Sequence, residues 1–184
     1  MKLSKNAKIS IIIIAVLVVI FSISLTLFLL SNRENRNLYL QEKIKITAFG
    51  EKLGEYTLGE LLEVSPAQEF EAVYKPNNMK PVKKTYTGIY LKDLVVGLDV
   101  DINRINHIKF AAGDGLQKIY GIQDVLEESN VYIAYLVNGK PFNTGILSFA
   151  YNKPEEDGGP FVVIRAKDKV SQNRVKLLVE IIIE

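Results

Sequence analysis

Residues able to do chemistry are sparse in this sequence, and that scarcity is its first constraint. There is no cysteine, and His107 is the single histidine. The chain can therefore form neither a disulfide nor a thiolate metal site. A Ser-His-Asp triad would have to use His107. That residue alternates with Ile108 and Phe110, which places it beside Lys109 on the polar face of a strand. Glu155, Glu156 and Asp157 form an acidic run without the spacing of a calcium loop, so they read as a solvated turn. No glycine loop of the phosphate-cradling kind is present. Asp114 and Gly115 follow Gly113, and flanking glycines let a backbone approach a ligand closely. The same residues equally make a tight hairpin turn. Tyr86 and Gly88 could line a pocket. Their structural reading is an aromatic in the core and a glycine at a strand-to-helix bend. Lys75, Lys80, Lys83 and Lys84 gather around one loop. They suit anionic lipid headgroups, an acidic partner or plain solvation.

The elements that must position these residues are mostly short strands. Ile44 to Thr47 alternates strictly, as a half-buried strand does. Gly50 and Gly54 bracket a turn. Thr57, with Glu60 three residues on, forms a capping box before Leu61 and Leu62, and Pro66 stops that helix. Phe70 to Tyr74 reads as a strand, and the proline- and asparagine-rich stretch from Pro76 to Pro81 as a loop. Thr85 to Ile89 leads into a short amphipathic helix from Tyr90 to Val96. Ile105 to Ala112 and Leu116 to Tyr120 are the arms of a hairpin, and Ile122 to Glu127 is a turn or two of helix. Val131 to Val137 is apolar on both faces and belongs inside a sheet. Asn138-Gly139 is the strongest hairpin signal in the chain, because both positions of that turn need positive φ. Phe161 to Arg165 and Val175 to Ile183 are further strands. The pattern predicts an α+β, mainly β domain.

A different kind of element precedes it. Ile9 to Leu30 holds no charge, and its polar members are Ser10, Ser22, Ser24 and Thr26. A bilayer core of ~30 Å needs about 20 helical residues, so this run is expected to span a membrane. It is too long for the ~7–15-residue core of a cleaved signal, and no small-residue cleavage site follows it. The expected plan is a cytoplasmic tail over 1–8, a signal anchor over 9–30, a linker over 31–41 and a domain over 42–184. Lys2, Lys5 and Lys8 precede the run, while Arg33 and Arg36 follow with Glu34 between them. The positive-inside rule then places the domain outside the cytoplasm, on a single-pass membrane protein. Removing those three lysines from the net charge of +2 leaves the remainder at −1. A near-neutral domain lacks the basic stripe of a nucleic-acid binder. The expected partners are the bilayer and a membrane or cell-surface protein.

Four segments fall in a recognisable order: Tyr86 to Leu94 (YTGIYLKDL), Ile108 to Gly115 (IKFAAGDG), Ile133 to Pro141 (IAYLVNGKP), and Gly158-Gly159-Pro160 with the closing Val175 to Ile181. Together they resemble the molybdopterin-binding domain of the sulfite oxidase family, over roughly Ile44 to Glu184. The resemblance implies a compact fold of coiled, mixed β-sheets. In catalytic members it also implies molybdopterin, with molybdenum held by a cysteine thiolate, a soft ligand suited to that metal. That ligand is expected in or after the Phe70 to Tyr74 strand, where Tyr74, Lys75 and Pro76 stand instead. Val162 takes the place of an arginine and Ala166 that of a proline. Arg165 lies on the opposite strand face from Val162 if alternation holds. The expected cleft residues are therefore Tyr74, Tyr86, Gly88, Asp114 and Gly115, none of them catalytic or metal-binding. The expectation is a binding module without a cofactor. The alternative is a molybdopterin oxidoreductase served by a membrane electron-transfer partner.

Overall fold

The computed structural model describes residues 5–75, 80–142 and 158–184. Two features read from the sequence, most of the Pro76 to Pro81 loop and the acidic run at Glu155 to Asp157, lie outside them. The chain divides into two compact units, Met1–Glu34 and Asn35–Glu184.

Helix α1 covers Lys5–Leu40. Within it the hydroxyls of Ser22 and Thr26 donate back to the carbonyls of Val18 and Ser22, at 2.8 and 2.9 Å. Among the described residues, no helix is long and apolar enough to cross a membrane. Side chains are described without a break from Ile13 to Leu27, short of the ~20 residues a bilayer core requires. The ends of the expected span lie outside the described side chains. The stretch expected as a linker is helical as far as Leu40. Its physical reason is Leu38, which is buried and gives the last turn a surface to cover. The Lys43 amide closes that turn by donating to the Leu38 carbonyl at 3.0 Å.

The second unit is a mixed α and β domain in which sheets dominate. Strands β1 (Ile44–Ala48) and β2 (Glu51–Tyr56) form a hairpin. Helix α2 (Leu58–Val64) follows, started by the Thr57–Glu60 capping box. Next come β3 (Ala67–Tyr74), β4 (Val82–Tyr90) and α3 (Leu91–Gly97). Strands β5 (His107–Ala112) and β6 (Gln117–Gly121) lead to α4 (Ile122–Leu126). Strands β7 (Val131–Val137), β8 (Lys140–Pro141), β9 (Val162–Arg165) and β10 (Leu178–Ile183) complete the domain. The first sheet has the order β2-β1-β10-β5-β6, with β1 and β10 parallel. The second has the order β3-β4-β7-β8, and β9 also pairs with β7. The sequence reading placed a turn where β2 runs. Its residues are polar and largely exposed, so no apolar alternation marked it as an edge strand.

The main core lies between the sheets and under the short helices. Ile44, Ile46, Ile108, Phe110 and Ile181 meet Ile89, Val131, Ile133 and Val163, with Leu61, Leu91, Leu94 and Val125 from the helices. A second buried cluster occupies the other face of the second sheet and is rich in aromatics: Phe70, Tyr86, Tyr90, Tyr132 and Phe142, with Ala72, Ala134, Val137, Val162 and Ile164.

Candidate functional site

The aromatic face of the second sheet gathers the residues of greatest chemical interest. Alternation along β3 puts Phe70, Ala72 and Tyr74 on one side, and β4 adds Lys84, Tyr86 and Tyr90. Register sets Phe70 opposite Tyr86 and Ala72 opposite Lys84. The rings form a ladder. Tyr90 to Tyr132 is 5.2 Å between centroids, Tyr132 to Phe70 is 3.9 Å, Phe70 to Tyr86 is 5.6 Å and Tyr86 to Phe142 is 6.2 Å. Such offset pairs stabilise beyond the area they bury, by ~0.5–1.5 kcal/mol each.

A buried cation caps this ladder. Arg174 is only 7% exposed. It follows the 3-10 turn Ser171–Asn173 and precedes Val175, whose amide and carbonyl pair with Val163 at 3.1 and 2.9 Å. Val175 faces the aliphatic core, so Arg174 is turned to the aromatic side. Its guanidinium lies 4.8 Å from the ring centre of Tyr86 and 5.5 Å from that of Tyr74, and it donates to the Val73 carbonyl at 3.0 Å. The ammonium of Lys84 stands 4.4 Å from the Tyr74 ring centre. Two cations thus share one phenol ring, and a cation held over a ring out of water contributes up to ~2 kcal/mol.

Gly88 serves the same layer differently. A β carbon there would meet the Ile133 carbonyl oxygen at 2.7 Å and the Ala134 α carbon at 2.8 Å. The β4–β7 register shifts at this point, between Thr87 and Gly88. Glycine is required because the β7 backbone occupies the side-chain space.

Asp114 and Gly115 lie on the first sheet, in the β5–β6 turn. The Asp114 carboxylate accepts from the Leu116 amide at 3.0 Å, and Gly115 has φ +91° and donates to the Ala112 carbonyl at 3.0 Å. Their geometry is that of a hairpin turn. Of the five cleft residues read from the sequence, the structure joins Tyr74 and Tyr86 through Arg174, sets Gly88 in the strand pairing behind them, and puts Asp114 and Gly115 on another sheet.

Sequence reasoning passed over Arg174. Its signal was slight: one arginine directly before an apolar residue, in a segment with no helix or strand pattern. Val162, where the resemblance expects an arginine, is buried in the aromatic layer. That sheet face does carry a guanidinium, supplied from the loop before β10 and not from β9. Arg165 lies on the opposite face, paired with Asp124 at 2.9 Å. Beside it, burial pushes the Tyr120 phenol well above its ordinary range, and its hydroxyl donates to the Asn173 carbonyl. His107 is half-exposed and contacts the Glu184 carboxylate at 2.9 Å.

A thiolate-held molybdenum does not fit these residues. The end of β3 offers a phenol ring flanked by Lys84 and Arg174. Among the described residues, no group of three His, Cys, Asp or Glu side chains could hold a metal ion.

No protein-family model matches the chain, and no curated protein does. Among solved structures it is similar to the sulfane dehydrogenase SoxCD from Paracoccus pantotrophus. That likeness has a TM-score of 0.58 and 14% sequence identity over 79% of this chain. It is a likeness of fold. This chain spans 38% of the SoxCD chain.

Proposed function

We propose that this protein is a membrane-anchored, extracytoplasmic binding module that uses a SoxCD-like fold without its own molybdenum centre. The observation that carries the reading is the surroundings of Tyr74, where the ammonium of Lys84 and the guanidinium of Arg174 flank the ring at the strand end expected to supply a thiolate. A buried cation set in aromatic rings binds and orients. It offers no redox centre and no nucleophile. Its partner, on this reading, is a membrane or cell-surface protein.

The anchor rests on three observations. The Ile9 to Leu30 run is free of charge. Its described side chains are exposed on every side of the helix, as with Ile11 at 52%, Phe21 at 69% and Leu27 at 62%, and a helix apolar all round belongs in a membrane or a core. The Ser22 and Thr26 hydroxyls bond to their own helix, which is how such groups are satisfied in lipid.

The test is elemental and pterin analysis of the full chain purified in detergent from its native host, with protease accessibility on intact cells. The expected result is neither molybdenum nor pterin at stoichiometric level, and a domain open to external protease. Stoichiometric molybdenum and pterin would instead establish the second reading, a molybdopterin oxidoreductase, which the likeness of fold favours. A protected domain would reverse the orientation.

A further inference from the structure

We infer that the free edge of β6 pairs with the β6 of a second copy of this chain, antiparallel and about a two-fold axis at Ile119, so that two first sheets join into one. The inference goes beyond the anchor and the aromatic face proposed above and depends on neither.

The backbone of β6 shows which groups are open. The Ala112 amide donates to the Leu116 carbonyl at 2.8 Å, and the Ile122 amide to the Asn106 carbonyl at 3.0 Å. Hydrogen-bonded pairs alternate along an antiparallel ladder, so Lys118 and Tyr120 face β5. Gln117, Ile119 and Gly121 therefore turn their N–H and C=O groups away from the sheet. Among the described residues, none of these outward groups has a hydrogen-bond partner. Strand β6 is the last of its sheet. A row of unpaired backbone groups is a template for another strand.

The other edges are guarded. Strand β2 carries Glu51, Lys52 and Glu55, and its register with β1 shifts between Ile46 and Thr47. At the end of β3 the Val73 carbonyl is taken by Arg174 and the Lys75 amide by Ser171, while Glu69 and Glu71 stand exposed before them. Strand β8 is Lys140–Pro141, and Val163 of β9 pairs with Val175. Charges, bulges, prolines and covering segments are how proteins keep edges from pairing. The outward residues of β6 carry no charge and no proline. Ile119 is 61% exposed, more than any other large apolar side chain on a described strand.

The strand also fits itself. A two-fold axis at Ile119 sets that side chain against its own copy, Gln117 against the second copy's Gly121, and Lys118 against its Tyr120. Apolar meets apolar at the centre. A β carbon on Gly121 would have no neighbour within 4 Å, so the glutamine has room. Lys118 is the one charge between Leu116 and Ile122, and like charges are therefore not opposed. An isologous pair of this kind has the commonest symmetry of protein assemblies. Five residues a side fall short of the ~20–30 of a stable interface, so the pair is reversible and is best read by trapping it.

The chain has no cysteine, so single introduced cysteines report the register. The full chain is expressed in its native host and treated in place with bismaleimidoethane. Ile119→Cys should be captured as a dimer. Gln117→Cys alone should give about fivefold less, because its two copies lie ~13 Å apart along the ladder. Chains with Gln117→Cys and chains with Gly121→Cys, expressed together, should cross-link to each other, and adding Ile119→Lys to both should remove that product. The circular dichroism of these variants should match the parent, since residue 119 is exposed and Gly121 has an ordinary φ of −65°. Capture at Ile119→Cys no greater than at Lys52→Cys on β2 overturns the pairing. Capture at Gln117→Cys equal to that at Ile119→Cys overturns the antiparallel register, and the inference with it.

Discussion

One face of the second sheet sets Ile89, Val131, Ile133 and Val163 against the helices and the first sheet. The other gathers Phe70, Tyr86, Tyr90 and Tyr132, with the guanidinium of Arg174 over the Tyr86 ring. Both faces are buried, yet they differ in chemistry. The aliphatic face gains its stability by excluding water from branched side chains of fixed shape. The aromatic face also buries area, but it holds a charge at a desolvation cost that packing alone would never require. The contrast separates a face that folding alone accounts for from the face on which the proposed binding would rest. Substitutions on the two faces should therefore differ in what they damage.

The largest effect is expected on the aliphatic side. Phe110 is fully buried, and its ring meets that of Tyr120 at 4.9 Å, tilted by 56°. Phe110→Ala should cost about 3–5 kcal/mol, the usual loss for deleting a core phenyl ring. Urea unfolding of the full chain in detergent, followed by the circular dichroism of the sheets, measures it. A loss below 1 kcal/mol would erase the distinction between the two cores. The seam between the faces comes next. Gly88→Ala must push the β7 backbone away, because the contacts at 2.7 and 2.8 Å are to main-chain atoms that cannot rotate aside. A loss of about 3 kcal/mol is expected. It should fall on stability and on any partner binding together, since the same strands carry both cores.

Much of the aliphatic half was legible in the sequence, and of the aromatic half the strands and the candidates Tyr74 and Tyr86 were, but the buried cation over them was not. The alternation of Ile44 to Thr47, the Thr57–Glu60 box, the apolar run at Val131 and the Asn138-Gly139 turn are local patterns with local causes, and each stands where its pattern placed it. The four ordered segments carried the fold as far as the likeness to SoxCD bears it out. Strand β2 was hidden because an exposed edge strand needs no apolar face. The helical continuation to Leu40 was hidden because two apolar residues among polar ones give no period. Arg174 reaches Tyr74 and Tyr86 across about a hundred residues of sequence, brought there by the Val175–Val163 pairing and by the Ser171 hydroxyl bonded to Lys75. No spacing rule reports a contact of that kind.

That long-range placement sets the third test. In Arg174→Met the shape of the side chain is largely kept and the charge removed. The hydrogen bond to Val73 and two cation–ring contacts are lost, and a desolvated charge is relieved. The net stability loss should be no more than about 1–2 kcal/mol. Partner capture at the membrane should nevertheless fall sharply. A variant that unfolds as badly as Phe110→Ala would make Arg174 a structural brace and remove the division of labour between the faces.

The smallest effect belongs to a site remote from both faces and serves as their baseline. The Glu60 carboxylate accepts from the Thr57 amide at 2.7 Å and from its hydroxyl at 2.8 Å. The backbone hydrogen bond, then the hydroxyl, holds that carboxyl below its ordinary value of 4.5. A folded-state value below the unfolded one means that the contact stabilises above the unfolded value. It is lost as pH falls through the folded value, because the unfolded chain takes up the proton first. Thr57→Ala should cost about 1 kcal/mol at neutral pH, a normal loss for a helix cap. The difference between wild type and variant should shrink as the pH is lowered past the Glu60 titration. Unfolding curves collected from pH 7 down to pH 3 test this. A difference that stays constant over that range would mean that the Thr57 hydroxyl acts on the Glu60 amide alone, at 3.4 Å, and that its own bond to the carboxylate contributes nothing, since the bond from the residue 57 amide is kept in the variant.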